Sequence, residues 1–198
     1  MLASGLVLVA LAIFLSQRFD EPLFRAIYGA TDARTALLWR GITALGSSTI
    51  LTPVVAAIAV VLLRRRQGLA AMALACGWAT TSLTVEWLKW VVDRSRPRVP
   101  YWASAAGPAF PSGHAAQALY VCLFLWLILG GSGPAADRGA LRRNLRRTAP
   151  WLLALVPAAV GTSRVGLGVH WPSDVVAGWA VGLFFCALAW LLQADDRR

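Results

Sequence analysis

The chain has 198 residues, of which 58% are hydrophobic and 14% charged, and its formal net charge is +10. Soluble domains carry about 25% charged residues, and here the apolar residues run in long blocks, so the composition describes a polytopic membrane protein. Nucleic-acid binding is excluded despite the basic charge, because the arginines cluster where apolar runs end, as in "LLRRRQG" and "LRRNLRR". There they anchor topology and lipid headgroups and present no folded basic face.

Six apolar segments follow one another. Leu2 to Ser16 is charge-free but short of the about 20 residues a span needs. It lacks a basic start and a clear small-residue cleavage site, so it reads as an uncleaved first helix and not as a signal peptide. The mixed stretch "QRFDEPLFRAIYGATDARTALLWR" is an amphipathic connection along the interface. Gly41 to Leu63 is the second span and Gly68 to Val92 the third. The loop "DRSRPRVPYWASAAGPAF" holds prolines and charges that no buried helix tolerates. Ser112 to Leu129 forms the fourth span. "GGSGPAADRGALRRNLRR" is a linker closed by a basic anchor, and Thr148 to Gly161 and Val175 to Ala194 are the fifth and sixth spans. Cys76, Cys122 and Cys186 lie inside apolar runs at no metal-like spacing and read as small core residues. The pattern predicts an all-α bundle of six membrane helices, one integral-membrane domain over residues 1–198, with neither a repeat nor a second domain.

An even number of spans puts both termini on one side. That side carries Arg64, Arg65, Arg66, the arginines of "LRRNLRR", Arg197 and Arg198, and the positive-inside rule makes it cytoplasmic. Three polar stretches then share the outer face: "KWVVDRSRP", "PSGH" and "SRVGLGVHWPSD". They hold Lys89, the single lysine against eighteen arginines, and both histidines, His114 and His170.

Lys89 with Arg96-Pro97, then Pro111-Ser112-Gly113-His114, then Ser163-Arg164 with His170 and Asp174, resembles the three-part signature of the type 2 phosphatidic acid phosphatase superfamily. All three parts match in order and spacing. The resemblance implies a membrane lipid phosphatase in which His170 becomes a phosphohistidine, Asp174 orients it, and His114 protonates the leaving group and then serves as base for the attacking water. It implies a lipid phosphate or diphosphate as partner among the membrane lipids. A polyprenyl diphosphate of the bacterial cell envelope comes first and phosphatidate-type lipids, phosphatidylglycerophosphate among them, second; a lipid phosphotransferase is a further alternative. The place implied is a bacterial inner membrane, with the site facing the periplasm.

The residue types suit that chemistry on their own terms. Phosphoryl transfer needs cationic donors on the equatorial oxygens, an in-line nucleophile and a proton for the leaving oxygen. Lys89, Arg96 and Arg164 supply charge, and the arginine fork fits phosphate. Ser112 and Gly113 open a helix whose N-terminus offers N–H groups to an anion, which is also what any helix start looks like. Ser163 is either a further donor or the end of the fifth helix. His170 and Asp174 stand four apart around Pro172, a natural first helical residue, so the carboxylate can fix the imidazole tautomer. Glu86, one turn before Lys89, reads as a structural pair with that lysine or with a nearby arginine, and Arg94 and Arg98 read as membrane-surface anchors. Two histidines and an aspartate could instead form a facial triad for a metal, but three converging cations repel one, so neither metal nor cofactor is expected. A transporter would run its ionisable groups through the spans, whereas these gather at one edge.

Overall fold

The computed structural model describes residues 18–130 and 140–194, and among them the only regular structure is helical. Helix α1 covers 18–29. It is followed by α2 (Ala33–Ala44), α3 (Ser48–Arg64), α4 (Gly68–Val92), α5 (Gly113–Gly130), α6 (Ala140–Gly166) and α7 (Pro172–Ala194). The short first apolar segment, residues 2–16, lies outside the described residues. Three described stretches are long and apolar enough to cross a membrane: Ala33–Arg64, Gly68–Val92 and Pro172–Leu192. Gly113–Ile128 and Leu153–Gly166 are shorter apolar helices.

The expected third span matches α4 at both ends. The second begins earlier than expected, as α2, and is broken between α2 and α3. Asp32 caps α2 in a reciprocal box with Thr35, and Ser47 starts α3 by accepting from Ile50 N. The basic segment before the fifth span is itself helical and continues into α6, and α6 runs on to Gly166. Ser163 therefore sits inside a helix and does not end one. The supposed interfacial connection contains α1, whose Asp20 and Phe24 are buried.

Glycine determines how the bundle closes. A Cβ at Gly178 would stand 2.4 Å from Ser112 O, and one at Gly182 2.4 Å from Ala116 O. Two glycines four apart on α7 thus lay its backbone against the first turns of α5, the close approach that small residues permit between membrane helices. Gly77 of α4 makes the same room for the Tyr120 ring of α5, whose hydroxyl donates to Ala73 O at 2.8 Å. Below these contacts Leu51, Val55, Leu74, Val121, Phe124 and Cys186 form the main apolar core. The N-termini of α5 and α7 and the C-termini of α4 and α6 meet at one end of the bundle, and the polar stretches collect there.

Candidate active site

The α5–α7 contact places Asp174 beside Ser112, with Ser112 N donating to Asp174 O at 2.9 Å. Asp174 has no exposed surface, so its charge persists only if its oxygens are fully engaged. Oδ2 accepts from Trp171 N at 2.8 Å and faces His170 Nδ1 at 3.5 Å. Oδ1 accepts from Arg94 Nη1 at 2.7 Å. The tautomer with a proton on Nδ1 suits this arrangement and leaves the lone pair on Nε2. Nε2 points to the other side, 3.4 Å from Arg96 Nη1. Burial holds the His170 imidazole down at about 4, with Asp174 opposing the shift and Arg164 and Arg96 adding to it. At neutral pH the ring is uncharged and able to act as a base or nucleophile.

Arg164 is also buried; its Nη1 donates to Thr43 Oγ1 at 3.1 Å, which ties it to the end of α2. Its Nε and the Ser112 hydroxyl are buried with no hydrogen-bond partner. Buried polar atoms are nearly always paired, and exceptions call for a specific cause. Here both belong to residues expected to hold an anion, and Ser112 stands just before a helix whose first N–H groups have no partner within it. His114, in the first turn of α5, stands close enough to Arg164, His170, Lys89 and Arg96 to feel their charges.

Other expected residues are less free. Ser163 Oγ donates to Val160 O at 2.7 Å inside α6, so its hydroxyl proton is already used. Lys89 pairs with Glu86 at 2.8 Å, as the spacing suggested, at the partly exposed rim. Arg96 is mainly a brace. Nε donates to Gly107 O at 2.9 Å, Nη2 to Ala106 O at 2.9 Å and Pro108 O at 3.2 Å, and Nη1 to Val169 O at 2.6 Å. One guanidinium fastens the α4–α5 loop to the segment that carries His170. A cavity of about 330 Å³ opens alongside, bounded by Glu21, Phe24, Trp171 and the 95–99 segment, and of the expected site residues only Arg96 lines it.

Arg94 corrects the sequence reading. It is no surface anchor, for its side chain is 16% exposed and its Nη2 pairs with Asp20 Oδ2 at 2.6 Å while Nη1 holds Asp174. Asp20 in turn accepts from Ser173 N at 2.8 Å and from Ser173 Oγ at 2.6 Å. Asp20 was not singled out from the sequence, and Arg94 was read only as an anchor. The signals were slight: Asp20 lies four and eight residues before Phe24 and Tyr28, on the apolar stripe of α1, and Arg94 is two residues from Arg96 in an extended run. Among the described residues no three His, Cys, Asp or Glu side chains are grouped as a metal-ligand set.

Comparisons with known proteins place the chain in a family. Residues 70–198 match the model of the PAP2 superfamily, and the chain belongs to that family. Phosphatidylglycerophosphatase B of Bacillus subtilis (strain 168) is 28% identical over 92% of this chain and 85% of its own length. An undecaprenyl-diphosphatase of Sulfolobus acidocaldarius is 48% identical, but over 40 residues, 20% of this chain and 19% of that one. The crystal structure of a transmembrane PAP2-type phosphatidylglycerolphosphate phosphatase from Bacillus subtilis superposes with a TM-score of 0.78 at 23% identity, covering 97% of this chain and 95% of that one. Aquifex aeolicus LpxE gives 0.64 at 21% identity, covering 86% and 94%. These likenesses establish a shared membrane-bundle fold.

The brace formed by Arg96 is testable apart from chemistry. Lysine keeps the charge but cannot reach four carbonyls from one planar group. Arg96→Lys should therefore loosen the 98–108 loop, and limited proteolysis there should speed up by about tenfold, the effect of losing one or two hydrogen bonds at ~1 kcal/mol each. Unchanged cleavage would mean that the loop is held by other contacts.

Proposed function

We propose that the protein is a metal-independent lipid phosphatase that works through a phosphohistidine at His170. The observation that carries this is the pairing of a buried, neutral His170 and its carboxylate with an anion cradle whose Ser112 hydroxyl and Arg164 Nε have no partner of their own. In the first step His170 Nε2 attacks phosphorus, the bond to the leaving oxygen breaks, and His114 gives that oxygen its proton. In the second, water attacks the phosphohistidine, His114 takes the proton, the P–N bond breaks and phosphate departs. Asp174 stabilises the imidazole cation that attack creates. Arg164, Arg96 and Lys89 balance the phosphoryl oxygens, with Ser112, Gly113 and the α5 N-terminus as further donors. Ser163 supports the turn of α6 that holds Arg164.

Acid-quenched labelling tests the nucleophile. With phosphate-labelled substrate and EDTA present throughout, the wild type should trap a labelled enzyme, His170→Ala none, and Asp174→Asn far less. Label persisting in His170→Ala would reject the assignment, and loss of wild-type label to EDTA would reject metal independence.

Between the two substrate classes, the relative matched along most of the chain is named for phosphatidylglycerophosphate, whereas the undecaprenyl-diphosphatase match is local. This supports a glycerophospholipid phosphate monoester as the main substrate and polyprenyl diphosphate as the second reading. Their leaving groups differ: a monoester must expel an alkoxide, a diphosphate releases a phosphate. General acid catalysis contributes ~10²–10⁴-fold, so His114→Ala should damage monoester hydrolysis more than diphosphate hydrolysis. Measured kcat/KM for phosphatidylglycerophosphate should exceed that for undecaprenyl diphosphate in wild type; the reverse order would favour the second reading.

The clustered arginines at the far end of the bundle support a site facing away from the cytoplasm. A cysteine placed at Ser104 should then react with an impermeant maleimide on intact cells and one at Gln67 should not. The opposite pattern would turn the site inward.

A further inference from the structure

We infer that Asp20 and Arg94 are positioning residues for the Asp174–His170 pair, and that α1 sets, through one shared guanidinium, how much negative charge Asp174 presents to the imidazole. The inference deepens the His170 reading above and rests on it.

The geometry is a closed set of bonds. Arg94 lies between two buried carboxylates, Asp20 Oδ2 at 2.6 Å and Asp174 Oδ1 at 2.7 Å. Ser173 completes the ring, its hydroxyl accepting from Arg94 Nη1 at 2.6 Å and donating to Asp20 Oδ2 at 2.6 Å. Asp20 Oδ1 also takes Ser173 N, so it grips the first turn of α7 one residue from Asp174. Stacking fixes the same joint. Phe24 lies 5.1 Å from the Trp171 ring and 5.3 Å from Tyr28, and the Arg94 guanidinium sits 5.7 Å from the centre of Trp171. With Oδ1 held by Arg94 and Oδ2 by Trp171 N, the carboxylate cannot rotate away from His170.

Charge sharing separates this role from simple anchoring. The ionisable groups around His170 are Asp174 on α7, Arg164 on α6, Arg96 on the α4–α5 loop and His114 on α5, with Lys89 of α4 acting on His114. Arg94 divides its charge between two acids. Without the charge of Asp20, all of it bears on Asp174, the imidazole cation loses stabilisation, and the acid limb of kcat/KM moves to lower pH. Without the charge of Arg94, two carboxylates act unopposed and the limb moves to higher pH. An anchor predicts no such opposition of sign.

The experiment uses the full-length protein in detergent with phosphatidylglycerophosphate as substrate. Asp20→Asn keeps the side chain's size and should lower kcat by about ten- to a hundredfold, the scale of a slightly misplaced reacting group, with KM little changed. In an Asp174→Asn background the same change should cost less than about twofold, since residues acting as one unit are not additive. The acid limbs of Asp20→Asn and Arg94→Gln should shift in opposite directions. Equal losses from Asp20→Asn in both backgrounds, or limbs that move together or not at all, would overturn the inference. If Arg94→Gln does not fold, the two-background comparison decides it alone. Phosphoenzyme surviving in His170→Ala would strike the nucleophile assignment instead, while the coupling of Asp20 to Asp174 would still be read from the cycle.

Discussion

Asp174 carries a charge in a place with no access to solvent, and much of the site follows from that constraint. An ionised carboxylate there is stable only when every oxygen is engaged, and removing one partner of such a buried pair costs about 3–5 kcal/mol. Its partners come from two parts of the chain: a guanidinium at Arg94, 80 residues away, and the adjoining His170–Trp171 turn, which supplies a backbone N–H and the imidazole it faces. Each is itself fixed by something else. Trp171 Nε1 donates to Ser95 O at 3.1 Å, Arg94 is held by Asp20, and the His170 segment is fastened by Arg96 through Val169 O. Satisfying one carboxylate orders the loop, the first helix and the α6–α7 turn together.

The glycines of α7 are the steric half of the same constraint. Backbone contact at Gly178 brings Ser112 of α5 to within a hydrogen bond of Asp174 O. The start of α5 and the histidine held by Asp174 therefore share one rigid joint. A side chain at either glycine would push the start of α5 away from His170 before it disturbed the apolar core below.

Much of this was legible from residue order. The spans announced themselves through long apolar runs, and α4 could be bounded because arginines precede it and Asp93 follows it. The residues that gather at this end of the bundle were legible because lysine and histidine are scarce here and stand in three spaced polar stretches. The roles of Arg94 and Asp20 were not, because a lone arginine beside a membrane helix looks the same whether it meets lipid headgroups or a carboxylate 80 residues away. Arg96 was read as a phosphate donor, and only tertiary structure reveals that loop carbonyls take most of its hydrogens. The break between α2 and α3 was also hidden, since Leu45, Gly46 and Ser47 interrupt the apolar run too briefly to register as a boundary.

The matched family region begins at residue 70, yet the ring of bonds around Asp174 includes Asp20. During synthesis these groups appear in a fixed order: Asp20 first, Arg94 after α4, and Ser173 and Asp174 only with α7. Until α7 enters the membrane, Arg94 has one acid to neutralise it and the loop has no turn to fasten to. The charge arrangement around His170 is thus complete only once α7 is in place, and before that the cationic groups stand without the carboxylate that faces the histidine.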